Sequence, residues 1–406
     1  MSHMESVSIG IWIGMGGRYE GKKLSGITHF IEHMLFKGTA TRTVSQLKQE
    51  IEGVGGHFNG FTSEEVTCYL VKLPARHYML GLDVLCDMVI NPRLSEADIE
   101  LEREVIYEEI KMYKDQPASY VHEILASTMW GDHPLGRPLT GTKETVKIIG
   151  RKDLVDYKEK FYTPRNISVV ATGKMWIHKF LEGVTMRLGP GNQGGKAPYY
   201  EKFEVTQKQK KLKFHFKSTE QTHIALGFHA PGRKSKDRYA LGLLNIILGG
   251  NMSSRLFEEL REKRALCYDV SSSLKKYEET GAFFIHAGID NSKTEIALES
   301  IMKELIDLKR NAVSNVELKR AKEYYKGQLL LALEDTSTRM LWLGDKVMTK
   351  EGIPSVKSIL KHIESVEPSD IKKAASKIFT EDLMNFAAIG PEKGLIESRI
   401  KKITRV

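Results

Sequence analysis

The amino-acid sequence predicts an α+β protein of two homologous α/β-sandwich-like halves, each a mostly antiparallel sheet with helices packed against it. Three observations favour this fold class. The 406 residues, of which 41% are hydrophobic and 28% charged, can bury more than one hydrophobic core. Segments typical of strands and of amphipathic helices occur in both halves of the chain. The second half also repeats features of the first half at a nearly constant spacing.

Strands are predicted where short segments are apolar or alternate between apolar and polar residues. These segments are residues 6–13, 66–71, 167–171, 211–216, 224–228, 282–287 and 384–388. Helices are predicted where apolar residues recur every three or four positions. Such positions are Leu82, Leu85 and Val89 in the first half and Ile301, Leu305 and Leu308 in the second. Ser95 and Ser314 precede charged helices and are the predicted N-caps.

The internal repeat is clearest where residues 153–173 are aligned with residues 370–390, 217 positions further on and without a gap. Each copy is expected to form a helix, a threonine-containing turn and an apolar strand. Near the midpoint, glycine and proline interrupt the polar segment Gly189 to Pro198, which predicts a loop. We therefore expect an N-terminal half over residues 1–190, a linker over 191–204 and a C-terminal half over 205–406.

The cysteines argue against a disulfide framework and against a thiolate zinc site. Cys68, Cys86 and Cys267 are odd in number, scattered and never spaced as CxxC. The first residues lack the basic and apolar regions of a signal peptide. We therefore expect a reducing compartment, with a bacterial cytoplasm as the first expectation and a reducing organelle matrix as the alternative.

The net charge of the chain is positive, but its basic residues are not grouped into a site for an anionic partner. The formal net charge is +9, which brings nucleic acid or an anionic membrane surface into consideration. The basic residues are spread out, and no nucleic-acid recognition motif accompanies them. No stretch of eighteen apolar residues occurs either. We expect no nucleic-acid partner and no membrane insertion.

The first candidate metal-binding and catalytic residues lie in the segment His29-Phe30-Ile31-Glu32-His33, which has a helical pattern. On an α-helix His29 and His33 lie on one face, close enough for both imidazoles to bind one metal ion. Glu32 lies on the same side and can reach a metal-bound water, which is the reverse order of the HExxH zinc-protease helix. The alternative is an amphipathic helix with two incidental histidines.

A catalytic zinc requires a third protein ligand and an open coordination position. The candidates lie in residues 102–111, a predicted helix that is dense in carboxylates. Glu102 and Glu109 are seven residues apart and share a face, whereas Glu108 points about 100° away. Such density is more often a solvated helix face. The spacing alone leaves the third ligand open.

Three segments resemble a known family: HFIEHMLFKGT from His29, GGHFNGFTSEEVTCY from Gly55 and EREVIYEEI from Glu102. They are similar to the pitrilysin/insulinase class of zinc metallopeptidases, the inverzincins, and most similar to the bacterial processing-protease and mitochondrial processing peptidase β-subunit branch. In that family a glutamate at a characteristic distance after the second histidine is the third zinc ligand. The resemblance implies Glu109 as that ligand, and Glu102 as a carboxylate that supports the ligands.

The same resemblance implies substrate-binding residues in both halves. Asn59, Gly60 and Phe61 fall where the family has an edge strand that pairs with substrate, although a turn fits the sequence equally well. Arg261 and Tyr268 would hydrogen-bond backbone carbonyls of a bound peptide. Without the resemblance, an exposed helical arginine and a half-buried tyrosine would be the simpler interpretation.

The repeat restricts the metal to the first half. In the second half, residues 240–248 correspond to the histidine helix and contain no histidine, and Gln328 stands opposite Glu109. We therefore expect a catalytic, zinc-binding N-terminal half and a non-catalytic C-terminal half that holds substrate. By resemblance, the two halves form a clam-shell chamber.

The sequence thus predicts a zinc-dependent endopeptidase with one zinc ion per chain. We expect it to hydrolyse unfolded peptides or presequence-like segments through a zinc-bound water activated by Glu32. The resemblance also implies a homodimer. The alternative function is a catalytically inactive structural or docking subunit of the same fold, since the family includes such members.

Overall fold

The computed structural model describes residues 1, 3–189, 198–349, 352–392 and 395–405. The chain divides into two compact units. The first unit contains Met1–Met112, Arg137–Glu201 and Leu330–Ile353, and the second contains Tyr113–Gly136, Lys202–Leu329 and Pro354–Val406. Each unit is therefore assembled from separate segments of the sequence.

The strands form two sheets, one in each unit. They are β1 (Ser6–Ile13), β2 (His57–Thr62), β3 (Thr67–Pro74), β4 (Ile167–Gly173), β5 (Lys211–Phe216), β6 (Gln221–Pro231), β7 (Cys267–Lys276), β8 (Thr280–Asp290) and β9 (Met384–Gly390). The first sheet has the order β2-β3-β1-β4 and is antiparallel throughout. The second has the order β5-β9-β6-β8-β7, and β5 pairs with β9 in the parallel direction.

Helices account for most of the remaining described chain. They are α1 (Ile27–Leu35), α2 (Val44–Glu52), α3 (Tyr78–Ile90), α4 (Glu96–Asp115), α5 (Pro117–Trp130), α6 (Lys143–Ile148), α7 (Arg151–Phe161), α8 (Ile177–Leu188), α9 (Arg238–Leu248), α10 (Thr294–Arg310), α11 (Asn315–Ala332), α12 (Thr336–Met348), α13 (Val356–Glu364), α14 (Pro368–Ile378) and α15 (Glu397–Ile403). A π-helical segment, Phe257–Lys263, precedes β7.

In the first unit, successive side chains of β1 point to opposite faces of the sheet, and both faces are covered by packed residues. Ile9 and Ile11 are fully buried in the same core as residues of α1 and α3. Trp12 points to the other face, where it clusters with Cys68 and with Met340 of α12. This second face also holds polar contacts, since the Ser8 hydroxyl donates a hydrogen bond to Thr336 Oγ1 at 2.9 Å.

In the second unit, β6 divides the packing in the same way. Phe228 lies edge-on to Phe379, with ring centroids 5.2 Å apart, on one face of the sheet. Ala225 lies in a core with Leu125 and Met129 of α5 on the other face. In each unit, one face of the sheet is thus covered by a helix from the other half of the sequence.

Two glycines permit these helices to approach the central strands closely. A Cβ atom at Gly10 of β1 would lie 2.5 Å from Sδ of Met340, and one at Gly227 of β6 would lie 2.5 Å from Sδ of Met129. These glycines are 217 positions apart, as are the aligned segments of the repeat. The repeat therefore extends to the central strand of each sheet.

The predicted α+β fold class is confirmed, with two sheets and helices packed against them. Ser95 and Ser314 act as predicted: their hydroxyls accept hydrogen bonds from the backbone N–H groups of Asp98 and Glu317. Within the predicted loop Gly189 to Pro198, residues 190–197 lie outside the described residues. Among the described helices, none has the length and apolarity needed to cross a membrane.

The two units differ from the continuous halves expected from the sequence. The first unit includes α12, and the second includes α5. The reason is that each of these helices packs on the sheet of the unit to which it belongs rather than on the sheet nearest in sequence. The division of function between an N-terminal and a C-terminal half stays a prediction.

Candidate metal centre

The histidine motif lies on α1, whose two sides have different chemistry. Phe30, Ile31 and Met34 are fully buried in the core of the first unit. His29 and His33 lie on the opposite side with their rings 4.4 Å apart, as the four-residue spacing requires. The apolar side therefore fixes the helix in the core, and the other side presents both imidazoles.

The start of α1 is held by a buried carboxylate. Glu20, only 4% exposed, accepts hydrogen bonds from the backbone N–H groups of Gly26 at 2.7 Å and Thr28 at 2.9 Å. Gly26 adopts φ +95°, and a Cβ atom there would lie 2.7 Å from the carbonyl oxygen of Thr140. Only glycine fits this position without strain. Glu20 and Gly26 together set the position of the first turn of the histidine helix.

Three side-chain atoms converge beside α1. His29 Nε2 and His33 Nε2 lie 3.2 Å apart, and each lies 3.6 Å from Oε2 of Glu109 on α4. Tetrahedral bonds of about 2.0–2.1 Å place neighbouring zinc ligands about 3.3–3.4 Å apart. Two imidazoles and one carboxylate at these distances fit a catalytic zinc ion with an open position. Among the described residues, this is the one group of three such side chains close enough to share a metal.

Glu102 contacts a candidate ligand instead of joining the triangle. Its Oε1 accepts a hydrogen bond from Nδ1 of His33 at 2.8 Å, and its Oε2 forms an ion pair with Lys37. Glu102 is buried, and these contacts outweigh the effect of burial so that its pKa is lowered. A carboxylate on Nδ1 directs Nε2 of His33 toward the metal position. Glu108 is 70% exposed and pairs with Lys111, so it faces solvent.

The environment of the two histidines favours metal binding in different ways. Burial lowers the pKa of His29 to about 3, so its imidazole is neutral near neutral pH, as a metal ligand must be. Burial acts on His33 in the same direction, but the hydrogen bond to Glu102 and the nearby carboxylates outweigh it and raise its pKa. The local negative charge that retains a proton on His33 would also attract a cation.

Glu32 is the third functional side chain on α1, after His29 and His33. Burial raises its pKa above the ordinary value, although hydrogen bonds from Thr62 oppose the shift. The Thr62 hydroxyl donates to Oε2 of Glu32 at 2.8 Å. A partly buried carboxylate with a raised pKa beside a metal site is well suited to accept and return a proton.

The segment Asn59-Gly60-Phe61 forms the middle of β2, which excludes the alternative of a turn. β2 pairs with β3 on one side and is an edge strand of the sheet. An edge strand can pair with an extended peptide through its unpaired N–H and C=O groups. The predicted pairing of substrate with these residues stays a prediction.

Arg261 and Tyr268 contact each other in the second unit. The Arg261 guanidinium lies 4.7 Å from the ring centroid of Tyr268 and 4.7 Å from that of Phe257. Tyr268 is 74% exposed, so it is not the half-buried tyrosine of the simpler interpretation. An exposed tyrosine held by an arginine offers polar groups to a ligand.

Comparison with known proteins identifies the family. The family model of insulinase, Peptidase family M16, matches residues 2–143, and that of the Peptidase M16 inactive domain matches residues 149–325. A protein of Bacillus subtilis strain 168, named an uncharacterized zinc protease, is 36% identical over 379 residues, which are 93% of this chain and 92% of that protein. The chain belongs to the M16 family. The resemblance to insulinase-type peptidases is thereby confirmed.

Other M16 relatives agree with this assignment. A Streptomyces coelicolor protein, also named an uncharacterized zinc protease, is 34% identical over 402 residues, 98% of this chain and 87% of the relative. M16 proteins use zinc, so zinc is the metal that the triangle of His29, His33 and Glu109 fits.

Solved structures share the M16 fold. The crystal structure of a protease from Helicobacter pylori matches with a TM-score of 0.91 at 24% identity, covering 96% of this chain and 95% of that chain. A peptidase M16 inactive domain from Pseudomonas fluorescens matches with a TM-score of 0.86 at 19% identity, covering 96% and 94%. These likenesses support the fold alone.

Sequence reasoning missed three residues of the site. Glu20 anchors α1, Lys37 pairs with Glu102, and Thr62 binds Glu32. A weak signal existed for Glu20, because acidic side chains are favoured near helix N-termini. The contacts of Lys37 and Thr62 depend on how α1 meets α4 and β2, which no local pattern specifies.

Proposed function

We propose that this protein is a zinc-dependent endopeptidase that hydrolyses unfolded peptides or presequence-like segments. The observation that carries the proposal is the triangle of His29, His33 and Glu109 with the partly buried carboxylate of Glu32, which lies on the helix of the two histidines. M16 membership supports a peptidase, and the relatives are named zinc proteases.

In this proposal His29, His33 and Glu109 hold the zinc ion, and Glu102 orients His33. When bound, zinc supplies a Lewis acid that polarises the peptide carbonyl and lowers the pKa of a water molecule. Glu32 takes a proton from the attacking water and returns it to the leaving amine. Its burial favours the protonated form that must exist between these two steps.

The substrate is proposed to bind as an extended strand. β2 lies at the edge of its sheet, so Asn59, Gly60 and Phe61 can pair with peptide backbone without regard to side chains. Arg261 and Tyr268 are proposed to hold backbone carbonyls of the peptide. Backbone recognition suits unfolded chains of varied sequence.

A pair of neighbouring glutamates tests the ligand assignment. Glu109→Gln should remove both bound zinc, measured by native mass spectrometry, and cleavage of a diverse peptide mixture. Glu108→Gln changes an exposed carboxylate on the same helix and should preserve both. Equal zinc content in the two variants would contradict the proposed ligand set. No cleavage by a zinc-loaded wild-type protein would instead favour the inactive subunit.

We also propose a homodimer in a bacterial cytoplasm. The proposals rest on the resemblance to processing peptidases and on the three free, buried cysteines. Light scattering of the purified protein and fractionation of cells that express it test them separately. A monomer, or recovery outside the cytoplasm, would contradict the corresponding proposal.

A further inference from the structure

The Glu32 carboxylate is held by strand β2 at two places. At the end of β2, the Thr62 hydroxyl donates a hydrogen bond of 2.8 Å to Oε2 of Glu32. Two residues earlier, a Cβ atom at Gly60 would lie 3.2 Å from both Cγ and Oε1 of Glu32. The backbone of β2 therefore lies directly against this side chain.

These contacts restrict how Glu32 can turn. A glutamate side chain has three rotatable bonds, and its terminal carboxylate rotates broadly when nothing fixes it. Here Gly60 limits the space on one side, and the Thr62 hydroxyl engages one carboxylate oxygen. Thr62 is only partly exposed, and hydrogen bonds to a charged acceptor are stronger than neutral ones. The carboxylate is thus held in one orientation before any substrate binds.

We propose that Thr62 is a positioning residue of the peptidase: its hydroxyl fixes the orientation in which Glu32 exchanges a proton during hydrolysis. The proposal rests on the proposed function, in which Glu32 is the base. Because Thr62 belongs to the edge strand available for peptide pairing, one strand positions both the substrate backbone and the base. Preorganisation of this kind raises kcat without a requirement for tighter substrate binding.

The register of the sheet supplies a matched control. Thr62 of β2 is paired with Thr67 of β3. The hydroxyl of Thr67 donates to the backbone carbonyl of Met15 at 2.9 Å, and Glu32 is not its partner. Thr67→Val therefore removes a hydroxyl from the neighbouring position of the same sheet without removing the contact to Glu32.

The experiment compares Thr62→Val, Thr62→Ser and Thr67→Val with the wild type. Each zinc-loaded protein is assayed with a quenched fluorescent peptide that contains a cleavage site mapped in the wild-type digestion. Zinc content is measured by native mass spectrometry. For Thr62→Val we expect kcat to fall about ten- to hundredfold with KM within about twofold, as loss of a hydrogen bond to a charged group implies. Thr62→Ser and Thr67→Val should retain kcat within about threefold, because the first keeps the hydroxyl and the second keeps Thr62.

Several outcomes would overturn the proposal. A kcat of Thr62→Val equal to that of wild type would show that the contact does not position Glu32. If kcat fell as far in Thr62→Ser or Thr67→Val as in Thr62→Val, the effect would come from packing of the sheet. If Thr62→Val lost its zinc, the effect would come from the metal site. The proposed function fails separately, because its failure would appear as wild-type cleavage by Glu32→Gln.

Discussion

Replacing Glu20 with glutamine should change how stability depends on pH. Burial raises the pKa of Glu20 from 4.5 to about 7, against the hydrogen bonds from Gly26 and Thr28. The folded state therefore binds more protons than the unfolded state between those pH values. Stability from this group is present below about pH 4.5 and is lost as the pH rises through about 7. The full difference in the pKa of Glu20 between the unfolded and folded states corresponds to a loss of about 3 kcal/mol in the free energy of unfolding.

The assay is urea unfolding, followed by tryptophan fluorescence, of wild type and Glu20→Gln in chelator at pH 5, 6, 7 and 8. Other titrating groups are common to both proteins and cancel in the difference. We expect the free energy of unfolding of wild type relative to the variant to fall by about 2 to 3 kcal/mol from pH 5 to pH 8. Glu159→Gln, at an exposed position on α7, should follow wild type. A difference between wild type and Glu20→Gln that is constant with pH would refute the reasoning.

Further predictions concern metal affinity and packing. Glu102→Gln should weaken zinc binding about ten- to hundredfold in a chelator competition, because His33 loses its charged partner; unchanged affinity would contradict this role. Gly344→Ala should lower the melting temperature, since its Cβ would lie 2.0 Å from Cε2 of Trp12. Gly327→Ala, on α11, would place a Cβ that meets no described atom within 4 Å outside its own stretch of helix, and should instead stabilise the protein by about 0.5–1 kcal/mol. If both glycine variants changed the stability of the protein in the same direction, the packing explanation would be contradicted.

Local periodicity was sufficient to predict the metal-binding side of α1. The four-residue spacing of His29 and His33 places both rings on one side of any α-helix, whatever the surrounding fold. Strands β1 and β5 have the predicted bounds, and β6 and β8 extend beyond theirs. Short-range patterns therefore identified the elements, although they located several ends imperfectly.

The choice between Glu102 and Glu109 needed more than spacing. Both side chains lie on one face of α4, so helical geometry alone does not tell which of them binds the metal. The resemblance to a family implied Glu109 as the ligand, and the structure separates the two by distance: Glu109 meets both Nε2 atoms, whereas Glu102 meets Nδ1 of His33. Glu102 and Glu109 lie about two helical turns apart on α4, so one carboxylate is placed to bind the metal and the other to orient His33.

Non-local packing explains what the sequence did not indicate. The placement of α5 and α12 depends on contacts between segments more than 90 residues apart in sequence, such as that of Gly227 with Met129. The contact of Thr62 with Glu32 likewise joins β2 to α1 across 30 positions of the sequence. Such contacts leave no periodic trace in the sequence.

The most direct test of the zinc peptidase account is to measure zinc content and peptide cleavage together for wild type and Glu32→Gln. We expect one zinc ion per chain in both proteins, and cleavage of an unfolded peptide mixture by wild type alone. Glu32 contacts Thr62 and is not part of the metal triangle, so its replacement should spare the metal. Wild-type cleavage by zinc-loaded Glu32→Gln would contradict the account.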